Sequence, residues 1–196
     1  MLRAIRQAAV EQRLFPFSAE VDSGQLIHLV GPNGAGKSSL LASLAGLLDV
    51  KGDILLNDEP LAACAASRLA RHRAYLPQQQ RPSEQMPVWH YLLMHDVQQT
   101  SASEQQLMYF TDALQISDKL HRPLGQLSGG EWQRVRLAAV FSQVSQPQGQ
   151  LLLLDEPMTG LDIGQQAAFD RLLPELLERG VTVIMSSHDL NHTLRH

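Results

Sequence analysis

The sequence predicts an α/β fold in which a parallel sheet carries helices on both faces, and three observations predict it. Short apolar runs recur at Leu26-Ile27-His28-Leu29-Val30, at Leu151-Leu152-Leu153-Leu154 and at Val181-Thr182-Val183-Ile184-Met185. Such runs are the pattern of strands buried on both faces rather than one. Stretches with helical spacing lie between them, and strands alternating with helices imply parallel pairing. Each run also ends on polar residues, at Gly31, at Asp155-Glu156 and at Ser186-Ser187-His188. Open parallel sheets bind ligands just beyond such strand ends.

Taken in order, residues 1 to 24 read as short strands with turns, broken at Phe15-Pro16-Phe17 and Asp22-Ser23-Gly24. The strand at 26–30 is followed by a Gly-rich turn and a helix from Ser38 to Leu48, with Leu40, Leu41, Leu44, Leu47 and Leu48 on helical spacing. Gly52 to Asp58 reads as a strand and turn, Ser67 to His72 as a short helix, and Ala74 to Gln78 as a strand closed by Pro77. From Gln79 the character changes to polar, Pro-bearing loop and then helices at Trp89–Asp96 and Ser103–Leu114. Ser101 and Glu104 are placed to form a capping box for the second. A helix from Glu131 to about Gln143 follows Ser128-Gly129-Gly130. Asp162 caps one running to about Glu178, with Pro174 inside it and Gly180 stopping it. The expected organisation is one domain over 1–196, with an α/β core at 1–78 and 144–196 and a helical subdomain at 79–143.

Composition narrows the class. At 196 residues, 44% hydrophobic and 18% charged, the chain is long enough for a real core. The net charge of −4, three lysines and scattered arginines make no basic stripe, which disfavours nucleic acid as a partner. One cysteine, Cys64, excludes an internal disulfide and fits a reducing compartment. No apolar run approaches the length of a membrane span, so a membrane role requires a partner.

The chemistry starts at Gly31-Pro32-Asn33-Gly34-Ala35-Gly36-Lys37-Ser38-Ser39, which fits the phosphate-loop pattern G-x-x-x-x-G-K-S/T between a strand and a helix. The glycines let backbone N–H groups turn inward at a helix N-terminus, where the dipole also favours an anion. Lys37 can then reach the β- and γ-phosphates of a nucleoside triphosphate, and the Ser38 hydroxyl can ligate Mg²⁺. Asp155, at the end of an apolar strand, is placed as a second Mg²⁺ ligand, and Glu156 as general base toward water. Gln78 can offer its amide oxygen to Mg²⁺ or to that water, and His188 can bond the γ-phosphate. His188, His192 and His196 stand four apart, but no carboxylate or cysteine completes a metal-ligand set among them.

Leu127-Ser128-Gly129-Gly130-Glu131-Trp132-Gln133-Arg134 resembles the signature sequence of the ATP-binding cassette ATPases. Leu151 to Pro157 looks like that family's Walker B strand with its catalytic glutamate. Thr159-Gly160-Leu161-Asp162 resembles its D-loop, Gln78 its Q-loop glutamine and His188 its switch histidine. The resemblance, over about residues 20 to 196, implies a P-loop NTPase with a parallel-sheet core, a small N-terminal antiparallel β part and a helical insert. It implies ATP and Mg²⁺ as cofactors, and a head-to-tail homodimer in which Ser128, Gly129 and Gly130 of one copy close on ATP held by the other. It also implies transmembrane permease subunits as partners, and a peripheral place on the cytoplasmic face of a bacterial inner membrane. Pro87 to Leu92, Gly130 to Val140 and Met185 to His196 look more narrowly like the ATP-binding subunits of cobalamin importers. That implies a cobalamin permease and, indirectly, a periplasmic binding protein.

The family places an aromatic residue upstream of the phosphate loop to stack on adenine; here only Phe15 and Phe17 stand there. Family members also continue well past the position of His188, so a missing C-terminal part is expected. Two other readings stay open: a cassette ATPase outside transport, and a truncated chain that binds ATP without turning it over.

Overall fold

The computed structural model describes residues 2–10, 14–78 and 84–187, in two four-stranded sheets. One is antiparallel and built from β1 (Leu2–Val10), β2 (Leu14–Ala19), β4 (Lys51–Leu56) and β5 (Glu59–Pro60), in the order β2-β1-β4-β5. The other is parallel and built from β3 (Leu26–Val30), β6 (Arg73–Leu76), β7 (Leu151–Asp155) and β8 (Thr182–Ser187), in the order β3-β8-β7-β6. The β4–β5 hairpin turns on Asn57 and Asp58, whose φ angles of 54° and 64° match the handedness of a two-residue hairpin loop.

The central strands β7 and β8 divide their side chains between two cores, which is why most of their residues are apolar. Leu152, Leu154, Val183 and Met185 face one core, built with α3 (Val88–Met94), α4 (Ser101–Ala113), α5 (Gly129–Val144) and α6 (Ile163–Glu178). Leu151, Leu153 and Ile184 face the other, built with α1 (Lys37–Leu44), α2 (Ala66–His72) and the antiparallel sheet. The alternation follows from the period of two along a strand. On the first side Phe110, Phe141 and Phe169 form an aromatic row across α4, α5 and α6, with centroids 5.7 and 5.6 Å apart. Edge-to-face and tilted contacts of this kind add to the burial itself.

Three local expectations are corrected. The first helix ends at Leu44, not Leu48, because Gly46 takes φ +69°. Its N–H bonds Ser43 O at 2.9 Å and Leu47 N–H bonds Ala42 O at 2.9 Å, a Schellman stop that leaves Leu47 exposed. α4 is capped one residue earlier than expected: Thr100 Oγ1 accepts from Ser103 N–H at 3.2 Å, and Thr100 N–H donates to Ser103 Oγ at 2.9 Å. Ser103 outcompetes Glu104 for the cap because its hydroxyl also donates to the buried Asp96 carboxylate at 2.7 Å. β3 was expected to be buried, yet four of its residues are half-buried and Val30 is 46% exposed. Among the described residues β3 pairs on one side only, with β8. Asp162 does cap α6, accepting from Gln165 N–H at 2.8 Å. Pro174 is accommodated inside that helix.

Candidate nucleotide site

Strand register gathers the site. Val30 pairs with Ser187, Asp155 with Ser186 and Leu76 with Leu154. Gly31, Asp155-Glu156, Ser186-Ser187 and Pro77-Gln78 therefore emerge at one edge of the parallel sheet, beyond its carboxyl ends. His188 follows β8 directly but lies outside the described residues, as do His192 and His196.

The Gly-rich loop leaves β3 and enters α1 through Gly34 at φ +82° and Gly36 at φ +89°, conformations that only glycine adopts freely. Gly36 is the N-cap and carries no side chain to occupy the helix terminus. The Lys37 ammonium folds over the loop, donating to Gly31 O at 2.5 Å and Pro32 O at 2.9 Å. Pro32, Asn33, Gly34, Ala35 and Ser38 are exposed, and Ser39 is half-buried. A chain of phosphates fits this arrangement: inward N–H donors at a helix start, one cation overhead and no Cβ in the way.

At the end of β7, Asp155 is only 2% exposed, and its Oδ1 accepts the Ser186 hydroxyl at 2.6 Å. The same hydroxyl oxygen accepts Glu156 N–H at 2.9 Å. Glu156 itself has φ +52°, a left-handed conformation that a glutamate adopts at a cost in strain. It lines a pocket of about 200 Å³ with Thr159, Met185 and Ser187. Burial pushes the phenol of Tyr75, on the neighbouring strand, up to about 12, and the Asp155 carboxylate adds to the shift. Sequence reading missed Ser186. The only signal available was a hydroxyl at the end of an otherwise apolar strand.

Among the described residues no three His, Cys, Asp or Glu side chains cluster as metal ligands. The anticipated cation set is instead a hydroxyl (Ser38), an amide (Gln78, exposed) and one carboxylate (Asp155). An all-oxygen set with a single carboxylate suits Mg²⁺, which keeps waters and takes phosphate oxygens for the rest.

The start of α5 is a closed capping box. Ser128 N–H donates to Glu131 Oε2 at 2.8 Å and Glu131 N–H to Ser128 Oγ at 3.2 Å. The Ser128 N–H bond holds the Glu131 carboxyl below its usual range, with the Ser128 hydroxyl and then Lys119 adding smaller effects. The box leaves the Gly129 and Gly130 N–H groups directed out of the first turn. Gly130 also packs against the 159–162 loop, since a Cβ there would stand 2.8 Å from Gly160 O.

The family model described as ABC transporter matches residues 14–159. The chain belongs to the ABC transporter family. Two curated relatives, both vitamin B12 import ATP-binding proteins BtuD, extend the match. The one from Salmonella heidelberg strain SL476 is 55% identical over all of this chain and 79% of its own length. The one from Escherichia coli O139:H28 is 54% identical over 98% of this chain and 78% of its own length. Among solved structures, an ATP-binding subunit of an ABC transporter superposes with a TM-score of 0.88 at 24% identity, covering 100% of this chain and 82% of that one. The ADP conformation of an ATP-binding cassette gives 0.76 at 21% identity, covering 99% and 83%. These two likenesses establish the ABC ATPase fold, and family membership makes the chain an ATP-binding ATPase. Among the described residues no helix is long and apolar enough to cross a membrane.

Proposed function

We propose that this ABC protein is the ATP-hydrolysing subunit that drives import of vitamin B12. The observation that carries the reading is identity of 55% to a vitamin B12 import ATP-binding protein, maintained across all of the chain. The geometry supplies a matching engine at the sheet edge. The 31–39 loop cradles the triphosphate, with Lys37 on its terminal phosphates and backbone N–H groups around them. Ser38, Asp155 and Gln78 would hold Mg²⁺, which supplies charge neutralisation between the β- and γ-phosphates. Glu156, in the left-handed backbone region at the end of β7, accepts a proton from the attacking water. Gln78 and His188 orient water and γ-phosphate.

Completion of the site calls for a second copy. The Gly129 and Gly130 N–H groups form an anion site at a helix start, and within one chain Gly130 packs against Gly160. In a two-fold pair they meet ATP held by the partner's phosphate loop, and Asp162 lies beside that junction. The dimer works with transmembrane permease subunits at the membrane surface, a cobalamin permease in this reading.

The test is Glu156→Gln. Equilibrium ATP binding should stay within about twofold of the parent while turnover falls by roughly a thousandfold, the scale of losing a general base. Undiminished hydrolysis would reject the role of Glu156. Co-purification with the cobalamin permease, with vitamin-stimulated ATPase activity in the complex, tests the cargo separately.

A further inference from the structure

Arg136 lies in the middle of α5, is 3% exposed, and among the described residues makes no ion pair with a carboxylate. A buried guanidinium without a counter-charge is costly, and an apolar side chain would fill the same space more cheaply. Burial accordingly lowers its pKa. What it holds is specific. One guanidinium nitrogen donates to Pro77 O, and the other donates to Gln133 Oε1 at 2.9 Å. Gln133, also buried, donates in turn from Nε2 to Pro157 O at 2.9 Å. The Trp132 ring lies 6.0 Å from the guanidinium carbon and fixes its side.

Pro77 immediately precedes Gln78, and Pro157 immediately follows Glu156. Proline has no N–H, so in each case the carbonyl is the only backbone hydrogen-bonding group at that residue. Both carbonyls are tied to one helix, and that helix begins at Ser128. We propose that Arg136 and Gln133 are positioning residues that clamp the Gln78 and Glu156 segments to the signature helix. A shift of α5 on meeting a partner copy is thereby felt at both. This rests on the ATPase reading above, which supplies the roles of Gln78 and Glu156.

The experiment uses the full chain with Arg136→Met, which keeps the packing against Trp132 and loses both donors. Three readouts are taken: kcat against KM for ATP, equilibrium ATP binding, and hydrogen exchange of residues 74–78 and 156–161. The expected result is kcat down by about tenfold or more, ATP affinity within about twofold, and an unfolding midpoint no lower than the parent's. Exchange should quicken by about tenfold or more in those two segments and stay unchanged in α1 and α6. Adding Gln133→Ala removes the bond to Pro157 O that Arg136→Met leaves in place, so exchange should quicken further in 156–161 and stay as in Arg136→Met at 74–78. Unchanged exchange in both segments overturns the proposal, as does loss of kcat matched by equal loss of ATP affinity. Should Arg136→Met not fold, Gln133→Ala alone must lower kcat without an equal loss of ATP affinity and quicken exchange in 156–161, where its bond to Pro157 O is lost, and the absence of either overturns the proposal. A parent chain that binds ATP but never hydrolyses it defeats the ATPase reading alone, since the exchange readout still decides the clamp.

Discussion

Ser186 shows how one hydroxyl can serve two neighbours to which the proposed mechanism gives roles. It donates to Asp155 and accepts from the Glu156 N–H, so it sets a carboxylate rotamer and stabilises a left-handed backbone together. Buried at 1% exposure, it has no water to replace it. Ser186→Ala is therefore expected to lower kcat by about tenfold, because the two acidic groups lose their fixed geometry. ATP binding through the 31–39 loop should change far less, and steady-state kinetics beside equilibrium binding would show it. A kcat loss no greater than about twofold would mean that the β7 backbone alone fixes both residues. Motif reading finds Asp155 and Glu156 because their chemistry is written in residue type and spacing. Ser186 sits thirty-odd positions away in sequence and becomes a neighbour only through the β7–β8 register. No local pattern encodes that.

At the scale of the element, α5 explains both what periodicity could predict and what it could not. Gly129 to Val144 shows no clean apolar stripe, because it is buried nearly all round and ties its surroundings with polar side chains. Arg134 donates to Leu114 O at 3.0 Å and Gln115 O at 2.8 Å, closing the end of α4. Gln143 donates from Nε2 to Ala70 O at 3.0 Å, and its Oε1 accepts from His95 Nδ1 at 3.2 Å. Burial pushes the His95 imidazole below its ordinary range. The unfolded chain keeps the ordinary value, so on acidification it takes up this proton first. Stability from neutral His95 is thus fully present above about pH 6.5 and drains away as pH falls toward the depressed folded value. Between pH 7.5 and 5.5 the unfolding midpoint of the parent should fall further than that of His95→Gln. Equal slopes in thermal melts would show that His95 is solvated in the folded protein. The start of α6 was legible from Asp162, since caps are local chemistry, whereas α5 begins at Gly129, two residues before the expected Glu131, because Ser128 and Glu131 close a capping box around its first turn. The start of α4 was misplaced by one residue because adjacent hydroxyls at 100, 101 and 103 compete. The winner was settled by Asp96, a tertiary partner.

Across the whole molecule, the sheet divides the labour. One face packs α1 and the antiparallel sheet under the phosphate loop, while the other packs α5 and α6 with the α3–α4 pair outboard. That division was readable from apolar runs, but the surface it leaves exposed was not. α3 buries Val88, Tyr91 and Leu92 and turns Trp89, Leu93 and Met94 to solvent, at 42%, 41% and 65% exposure. Val97, just beyond, is exposed as well. Apolar residues at this density on one short helix mark a contact surface rather than an ordinary solvated face. In sequence α3 begins ten residues after Gln78. The proposed permease is the partner that this reading seats on α3. Met94→Glu should leave the isolated chain's stability within about 0.5 kcal/mol and its basal ATPase activity unchanged, as expected for an exposed site far from the phosphate loop. In the complex the same substitution should weaken co-purification with the permease by about tenfold or more and abolish stimulation by vitamin B12, because a charge is introduced where apolar contact is buried. A Met94→Glu subunit that still assembles and responds to the vitamin would move the permease contact off α3 altogether.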